Sequence, residues 1–515
     1  MAEFNVPAVD PALKSAFEAR AKQADAWLAR LPFASPVDAA QQLLTALHAM
    51  NRSTLDSATR DTLLALYRPA LARISTGLET LLGEAGIPPH AQPKQAGHLL
   101  RTLQHELAIS CQLLLAQHKA DRKTPPRQTA ALLARLLMAW RDIHYAHTLT
   151  YNPLPQGLWQ QIHHTHALAC RTGLADTAIG DVQPASLVYR KILLMALADP
   201  LHMSRGEQLH ARAYLRAYAA LATLRETDTP GESGCMVAPD RDLGPLLHTD
   251  SPAGHLWLDT DVLCRQLHDT ALRLRTGDSP RRLGLPATME SDLALLVAKR
   301  LSKRWRNSTP RVFKRRPGSD AILEAVAGVS AIHRLLAQGE PVSFDEDDSS
   351  LIGDVGLAQT QPAAVQRSRW TLRNDSAQGL SLEGTPEAAL NLKVGDALAL
   401  RPADTEQAGW SLAVIRWVAM HDCGRVELGV ERLAPQMQPV WIRPLRGHRK
   451  HPEPALFVPG LPALKQPDRL LLPRYVYTSG MDAEIWHATR QFLLSFGRRH
   501  EHTPTFDLID FTAFA

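Results

Sequence analysis

Arg369-Trp-Thr-Leu-Arg-Asn-Asp-Ser-Ala-Gln-Gly-Leu-Ser-Leu382, RWTLRNDSAQGLSL, is the stretch on which the fold turns. Residues 370–373 and 379–383 alternate apolar with polar side chains, the period of a half-buried strand. Between them, Asn374, Ser376 and Gly379 stand at N-x-S-x-x-G spacing, a cluster that favours a tight turn. Asn and Ser offer short donors and acceptors, and Gly379 permits close backbone approach. Taken alone the spacing also fits a plain polar turn. Arg369 and Arg373 sit at even spacing and share one face of the first strand, where they serve either to hold an anion or as solvated surface.

Working outward, strand-like runs recur at 320–327, 396–401, 410–418 and 425–430, broken by turn residues such as Gly395-Asp396 and Asp422-Cys423-Gly424. Short strands at close spacing predict a small barrel or sandwich. An acidic run, Asp345-Glu346-Asp347-Asp348, reads as a solvated loop, so residues near 340–362 are an acidic insertion. Beyond 446, ALFVPG, DRLLLPRYVY and EIWHATRQFLLSF continue as a β-rich extension over 447–515.

Upstream the apolar period becomes helical. Ser35-Pro36-Val37-Asp38 starts a helix carrying Leu43, Leu44, Leu47 and Met50 on one stripe, and a second stripe from Leu63 to Leu81 is expected to kink at Pro69. Further amphipathic runs lie near 97–119, 127–147, 156–173, 184–199, 260–276 and 288–306, with capping-box spacing at Ser204-Arg205-Gly206-Glu207. The reading is α+β and multidomain: an N-terminal all-α helical array over 1–309, then an antiparallel β-barrel over 310–446, then the extension.

Composition fits this division. With 515 residues, 45% of them apolar, each part can bury its own core without staples. Five scattered cysteines without a C-x-x-C indicate neither a disulfide framework nor a zinc knuckle. A signal-peptide pattern and an apolar run long enough to span a membrane are both missing, so no membrane insertion and a cytoplasmic location are expected. His163, His166 and Cys170 share a helical face, but no fourth ligand is evident nearby and no metal is expected. Trp410, Trp417 and Trp441 could stack on bases, though strand alternation favours packing in the barrel. Hydrolase, metalloprotease and phosphate-loop motifs are not found, and no catalytic residue or cofactor is assigned.

The charge is more informative. Lys299, Arg300, Lys303, Arg304, Arg306, Arg311, Lys314, Arg315 and Arg316 form a run with no acid between Asp292 and Asp320. Such a run is a solvated linker or an anion site; without aromatic platforms or a nucleic-acid-binding motif, nucleic acid is an unlikely partner. Arg311 and Arg315 stand at R-x-x-x-R spacing ahead of the first strand. A guanidinium can bond guanine O6 and N7 or a phosphate in bidentate fashion, and can stack on a base.

The R-x-x-x-R segment at 311–315, the turn NDSAQG, and the strands LKVGDALAL, WSLAVIRWV and VELGVERL together resemble the PilZ family of cyclic di-GMP receptors across residues 311–445. The long helical half resembles the N-terminal region of larger, atypical members. The resemblance implies that Arg311 and Arg315, with Arg316 beside them, clamp guanine and phosphate. It also implies that Asn374, Ser376 and Gly379 shape the pocket, with Arg369 and Arg373 as a secondary pair. Two departures stand out: roughly sixty positions separate the motifs, and Asn374 replaces the more usual Asp. The expected function is a cytoplasmic cyclic di-GMP effector in motility, pilus or biofilm control. Its helical half couples the barrel to an unknown protein partner, and the chain is not an enzyme. The alternative is a degenerate PilZ-like scaffold acting through protein contacts alone.

Overall fold

The structure, a computed structural model, describes residues 6–83, 85–120, 124–226, 232–246, 256–306, 316–337, 365–387, 391–405, 408–445, 451–462, 465–487 and 490–514. The chain divides into two compact units, one of residues 1–85 and 89–310, the other of 86–88 and 311–515.

Helices α1 (Ala21–Leu28), α2 (Pro36–Asn51), α3 (Ser57–Gly83), α4 (Ala91–Ala120), α5 (Pro126–Leu149), α6 (Leu158–Arg171), α7 (Ala185–Leu197), α8 (Arg205–Tyr218), α9 (Asp261–Arg275) and α10 (Ser291–Trp305) build the first unit. Their apolar stripes meet in one core that includes Leu43, Leu47, Leu63, Tyr67, Leu103, Leu136, Ile143, Val188 and Leu301. Pro69 lies within α3, which runs as one helix from Ser57 to Gly83. Ser204 and Glu207 form the capping box expected at α8, each side chain bonding the other's backbone amide.

One buried carboxylate of this core is well supplied with partners. Glu106 of α4, almost wholly buried, accepts from Asn51 Nδ2 at 2.6 Å and Arg52 Nη1 at 3.1 Å, and meets His48 Nδ1 at 3.0 Å. One element goes beyond the helical reading. β1 (Thr223–Glu226), β2 (Gly234–Val237) and β3 (Leu256–Asp259) make a small antiparallel sheet in the order β1-β3-β2. Strands of four residues are too short to show a period in sequence.

The second unit contains β4 (Arg316–Pro317), β5 (Ile322–Ala327), α11 (Val329–Ala337), β6 (Ser368–Asp375), β7 (Gly379–Gly384), β8 (Ala397–Pro402), β9 (Ser411–Met420) and β10 (Val426–Ala434). The strands run in the order β4-β6-β5-β8-β9-β10-β7, and β6 also pairs with β7, which closes the ring. β4 and β5 both pair with β6, at Arg316↔Asp375 and Ile322↔Thr371, so they are two parts of one strand interrupted by a short bulge.

A second closed barrel follows, with strand order β11-β12-β13-β16-β15-β14. Its strands are β11 (Gln438–Pro444), β12 (Glu453–Val458), β13 (Arg469–Pro473), β14 (Asp482–His487), β15 (Arg490–His502) and β16 (Phe506–Ala513). Two sequence expectations change here. β11, placed with the first barrel up to residue 446, belongs to the second, and the extension is a barrel in its own right. Alternation identifies a strand but not the neighbour it pairs with. The acidic insertion near 340–362 lies outside the described residues.

Both barrels and α11 share a core of Val326, Val329, Ile332, Val414, Leu456, Leu471 and Phe506. Arg416 of β9 links them, reaching Glu431 Oε2 at 2.7 Å and Glu501 on β15. Asp396 is buried near the same junction, where Oδ2 accepts from the Lys393 amide at 2.7 Å. Burial pushes its carboxyl up to about 6. A carboxyl raised on folding contributes stability that is complete below its unfolded value and is lost as pH rises through about 6. Asp396→Asn should therefore exceed the parent in stability at about pH 8, by on the order of 2 kcal/mol. The gap should close as pH falls through about 6 towards the unfolded value. Urea titrations at several pH values check this, and a gap independent of pH would refute it.

Candidate functional site

The N-x-S-x-x-G segment folds as the turn between β6 and β7. Ser376 closes it: its amide donates to Gly379 O at 2.9 Å, its hydroxyl donates to the same oxygen at 2.9 Å, and the Gly379 amide lies 3.1 Å from Ser376 Oγ. Ala377 and Gln378 are left exposed at the tip. Gly379 is required by packing, since a Cβ there would lie 2.4 Å from Val430 O on β10. Arg432 fastens the turn from the other side, donating its amide to Gln378 O at 2.9 Å and Nη2 to Asp375 Oδ1 at 2.9 Å.

Asn374 stands at the start of this turn. Its half-buried amide makes no side-chain hydrogen bond among the described residues, although Asp375, next to it, is held by Arg432. The register then brings distant sequence together: β4 sets Pro317 opposite Asn374 and Arg316 opposite Asp375. The end of the arginine run thus lies beside the turn despite some sixty intervening positions. Arg316 is exposed; Arg311 and Arg315 lie outside the described residues.

Across the outside of the barrel, paired positions form one row: Pro317 on β4, Asn374 on β6, Ser381 on β7, Gly429 on β10 and Trp417 on β9. Leu380, Leu382, Leu428 and Val418 face inward and are buried, which fixes the row on the outer face. The Trp417 indole lies on the Gly429 backbone, for a Cβ at 429 would sit 1.7 Å from Nε1. This corrects the expectation that Trp417 packs inside the barrel. A register shift leaves Arg416 unpaired between Ile415↔Val430 and Trp417↔Gly429, and the bulge turns the tryptophan outward. Its sequence signal was the glycine at the facing position of VELGVERL.

The two arginines of R-W-T-L-R have different environments. Arg373 is bound by Glu383 at 3.1 Å and Asp320 at 2.8 Å, and its guanidinium holds the Glu383 carboxyl below the ordinary range. Arg369 is exposed and forms no ion pair among the described residues. The long basic run is also partly spent: Arg300 pairs with the buried Glu207 at 2.7 Å and Arg304 with Asp199 at 2.9 Å.

The other candidate clusters have structural explanations. His163 lies 2.6 Å from the Tyr189 hydroxyl and 2.9 Å from Leu243 O, and His166 stacks on Tyr189 with centroids 3.9 Å apart. Burial holds His166 down to about 4. Among the described residues, no group of three or more His, Cys, Asp or Glu side chains is placed to hold a metal. The Arg401 guanidinium covers Trp410 at 4.7 Å, and Trp441 meets His333 edge-on at 4.6 Å.

The fold is that of a PilZ-type domain that lies in sequence between a helical domain and a second barrel, and comparison with known proteins agrees. Residues 22–229 match the family described as the cyclic-di-GMP receptor FimW, N-terminal domain; residues 356–439 match its middle PilZ domain, and 440–514 its C-terminal β-barrel domain. The chain belongs to this family. A curated relative, the cyclic-di-GMP receptor FimW of Pseudomonas aeruginosa, is 24% identical over an alignment covering 96% of this chain and 90% of the relative. No solved structure matches the chain significantly. The family is described as a receptor rather than an enzyme. No helix among the described residues is long and apolar enough to cross a membrane.

Proposed function

We propose that this chain is a cytoplasmic cyclic di-GMP receptor that binds its ligand on the outer face of the first barrel. The observation that carries the reading is the β4–β6 register, which sets the end of the arginine run beside an Asn374 amide that has no side-chain partner among the described residues. Arg311, Arg315 and Arg316 would supply charge-assisted bonds to phosphate and bidentate contacts to guanine, Asn374 a base-edge bond, and Arg369 secondary support. Trp417, in the same row, offers a ring face for a base. Ser376 and Gly379 act chiefly by holding the turn. The receptor reads the messenger without processing it, and the helical unit passes the signal to a protein partner in motility, pilus or biofilm control.

Calorimetric titration with cyclic di-GMP, GTP and GMP is the direct test, and equal or absent heats would refute the proposal. Arg311→Ala should weaken binding by about ten- to hundredfold through loss of one bidentate or stacking contact. If Arg369→Ala abolishes binding while Arg311→Ala leaves it intact, the ligand is held by the other arginine pair. The scaffold alternative draws support from the Ser376 hydroxyl, which is already engaged inside its own turn; it requires that none of the three nucleotides gives heat.

A further inference from the structure

The helical unit holds a cavity of about 340 Å³ between α3, α4, α5, α8 and the loop before α7. That volume falls at the lower end of small-molecule sites, about 300–1,000 Å³. Four arginines line it: Arg68, Arg135, Arg141 and Arg212. Two are held in short ion pairs, Arg141 by Asp142 at 2.8 Å and Arg212 by Glu79 at 2.5 Å. The other two are not. Arg68 reaches only the Cys111 sulfur, at 3.8 Å, among the described residues. Arg135 stands 3.8 Å from Asp61 and 3.9 Å from Asp181, the second carboxylate on a side chain 93% exposed to solvent.

Two residues of its lining also carry buried polar atoms that bond nothing among the described residues. Gln104, 4% exposed, donates Nε2 to Ser75 Oγ at 3.0 Å and leaves Oε1 without a partner. Arg212, 7% exposed, leaves Nε without one. An unmet buried donor or acceptor is costly, and native interiors leave few of them. Leu71, Leu100, Leu107 and Met138 supply apolar lining.

We propose that this cavity is a binding site for a small organic anion, a phosphate or carboxylate head on an apolar body. The head lies between Arg68 and Arg135 and the body against the leucines. The site is separate from the barrel face, and its ligand gives the helical unit a chemical input of its own.

The test uses the full chain and three probes: 1-naphthyl phosphate, 1-naphthol and inorganic phosphate, which carry head with body, body alone and head alone. Calorimetry should show one-to-one binding of naphthyl phosphate, with the other two weaker by about tenfold or more. Arg68→Gln should weaken naphthyl phosphate by about tenfold. Ala72→Trp, an exposed position on the cavity lining, should block saturable binding by filling the entrance. Both substitutions are at positions that are not buried, so the fold should persist, and cyclic di-GMP affinity should be the same in both variants as in the parent. Naphthol binding as well as its phosphate, unchanged affinity in Arg68→Gln, undiminished binding in Ala72→Trp, or no saturable binding of naphthyl phosphate would each overturn the proposal.

Discussion

Trp305→Ala should lower the stability of the helical unit by about 3–5 kcal/mol, the usual cost of removing a large aromatic ring from a packed core. Trp305 ends α10 and is completely buried. Its indole donates to Leu194 O at 2.9 Å, and its own carbonyl accepts from Thr260 Oγ1 at 2.6 Å. One residue thereby joins α7, α10 and the start of α9. Truncation leaves a cavity and strips the Leu194 carbonyl of one of its two donors, the Ala198 amide at 3.0 Å remaining. Trp305→Phe keeps most of the volume and should lose less. Urea denaturation followed by circular dichroism provides the measurement; a loss below about 1 kcal/mol for the alanine variant would show that the core collapses around the gap.

Gly379→Ala should cost about 2–3 kcal/mol and remove binding of cyclic di-GMP. The obstruction is a backbone oxygen, Val430 O, 2.4 Å from where the new methyl would sit, so no side-chain rotation relieves it. The β6–β7 turn must move away from β10, and with it go the Gln378–Arg432 bond and the alignment of Asn374 with Ser381. Ser376→Ala also touches the turn, but removes only the hydroxyl bonds to Gly379 and should cost about 0.5–1.5 kcal/mol. Denaturation together with calorimetry separates the two: Gly379→Ala binding like the parent would show that the turn does not position the ligand.

The β6–β7 hairpin was legible because its turn chemistry and flanking alternation are local. The six strands of the first barrel read from sequence appear within a few residues of their expected places for the same reason. Local patterns carry no information on long-range partners. The pairing of Arg316 with Asp375 depends on chain closure across some sixty positions, and the assignment of β11 to the second barrel depends on β12 and β14. α11 escapes the sequence reading because Val329–Ala337 is short, follows β5 after the single residue Gly328 and buries only Val329, Ile332 and His333. Trp417 was misread at its bulge, where strand periodicity resets. Asn374 is legible by type, but sequence does not show that its neighbour Asp375 takes the bond from Arg432 while the Asn374 amide makes none among the described residues.

The closure of both barrels limits how this protein can be recognised. A sheet with a free edge invites a partner to add a strand through main-chain hydrogen bonds, a mode that is tolerant of sequence. Here the β6–β7 pairing seals one ring and the β11–β14 pairing seals the other, while β4 is the beginning of β5 rather than a loose edge. A protein that docks on the second unit must therefore read side chains and surface shape, so its specificity can be altered by single surface substitutions without unpicking either sheet.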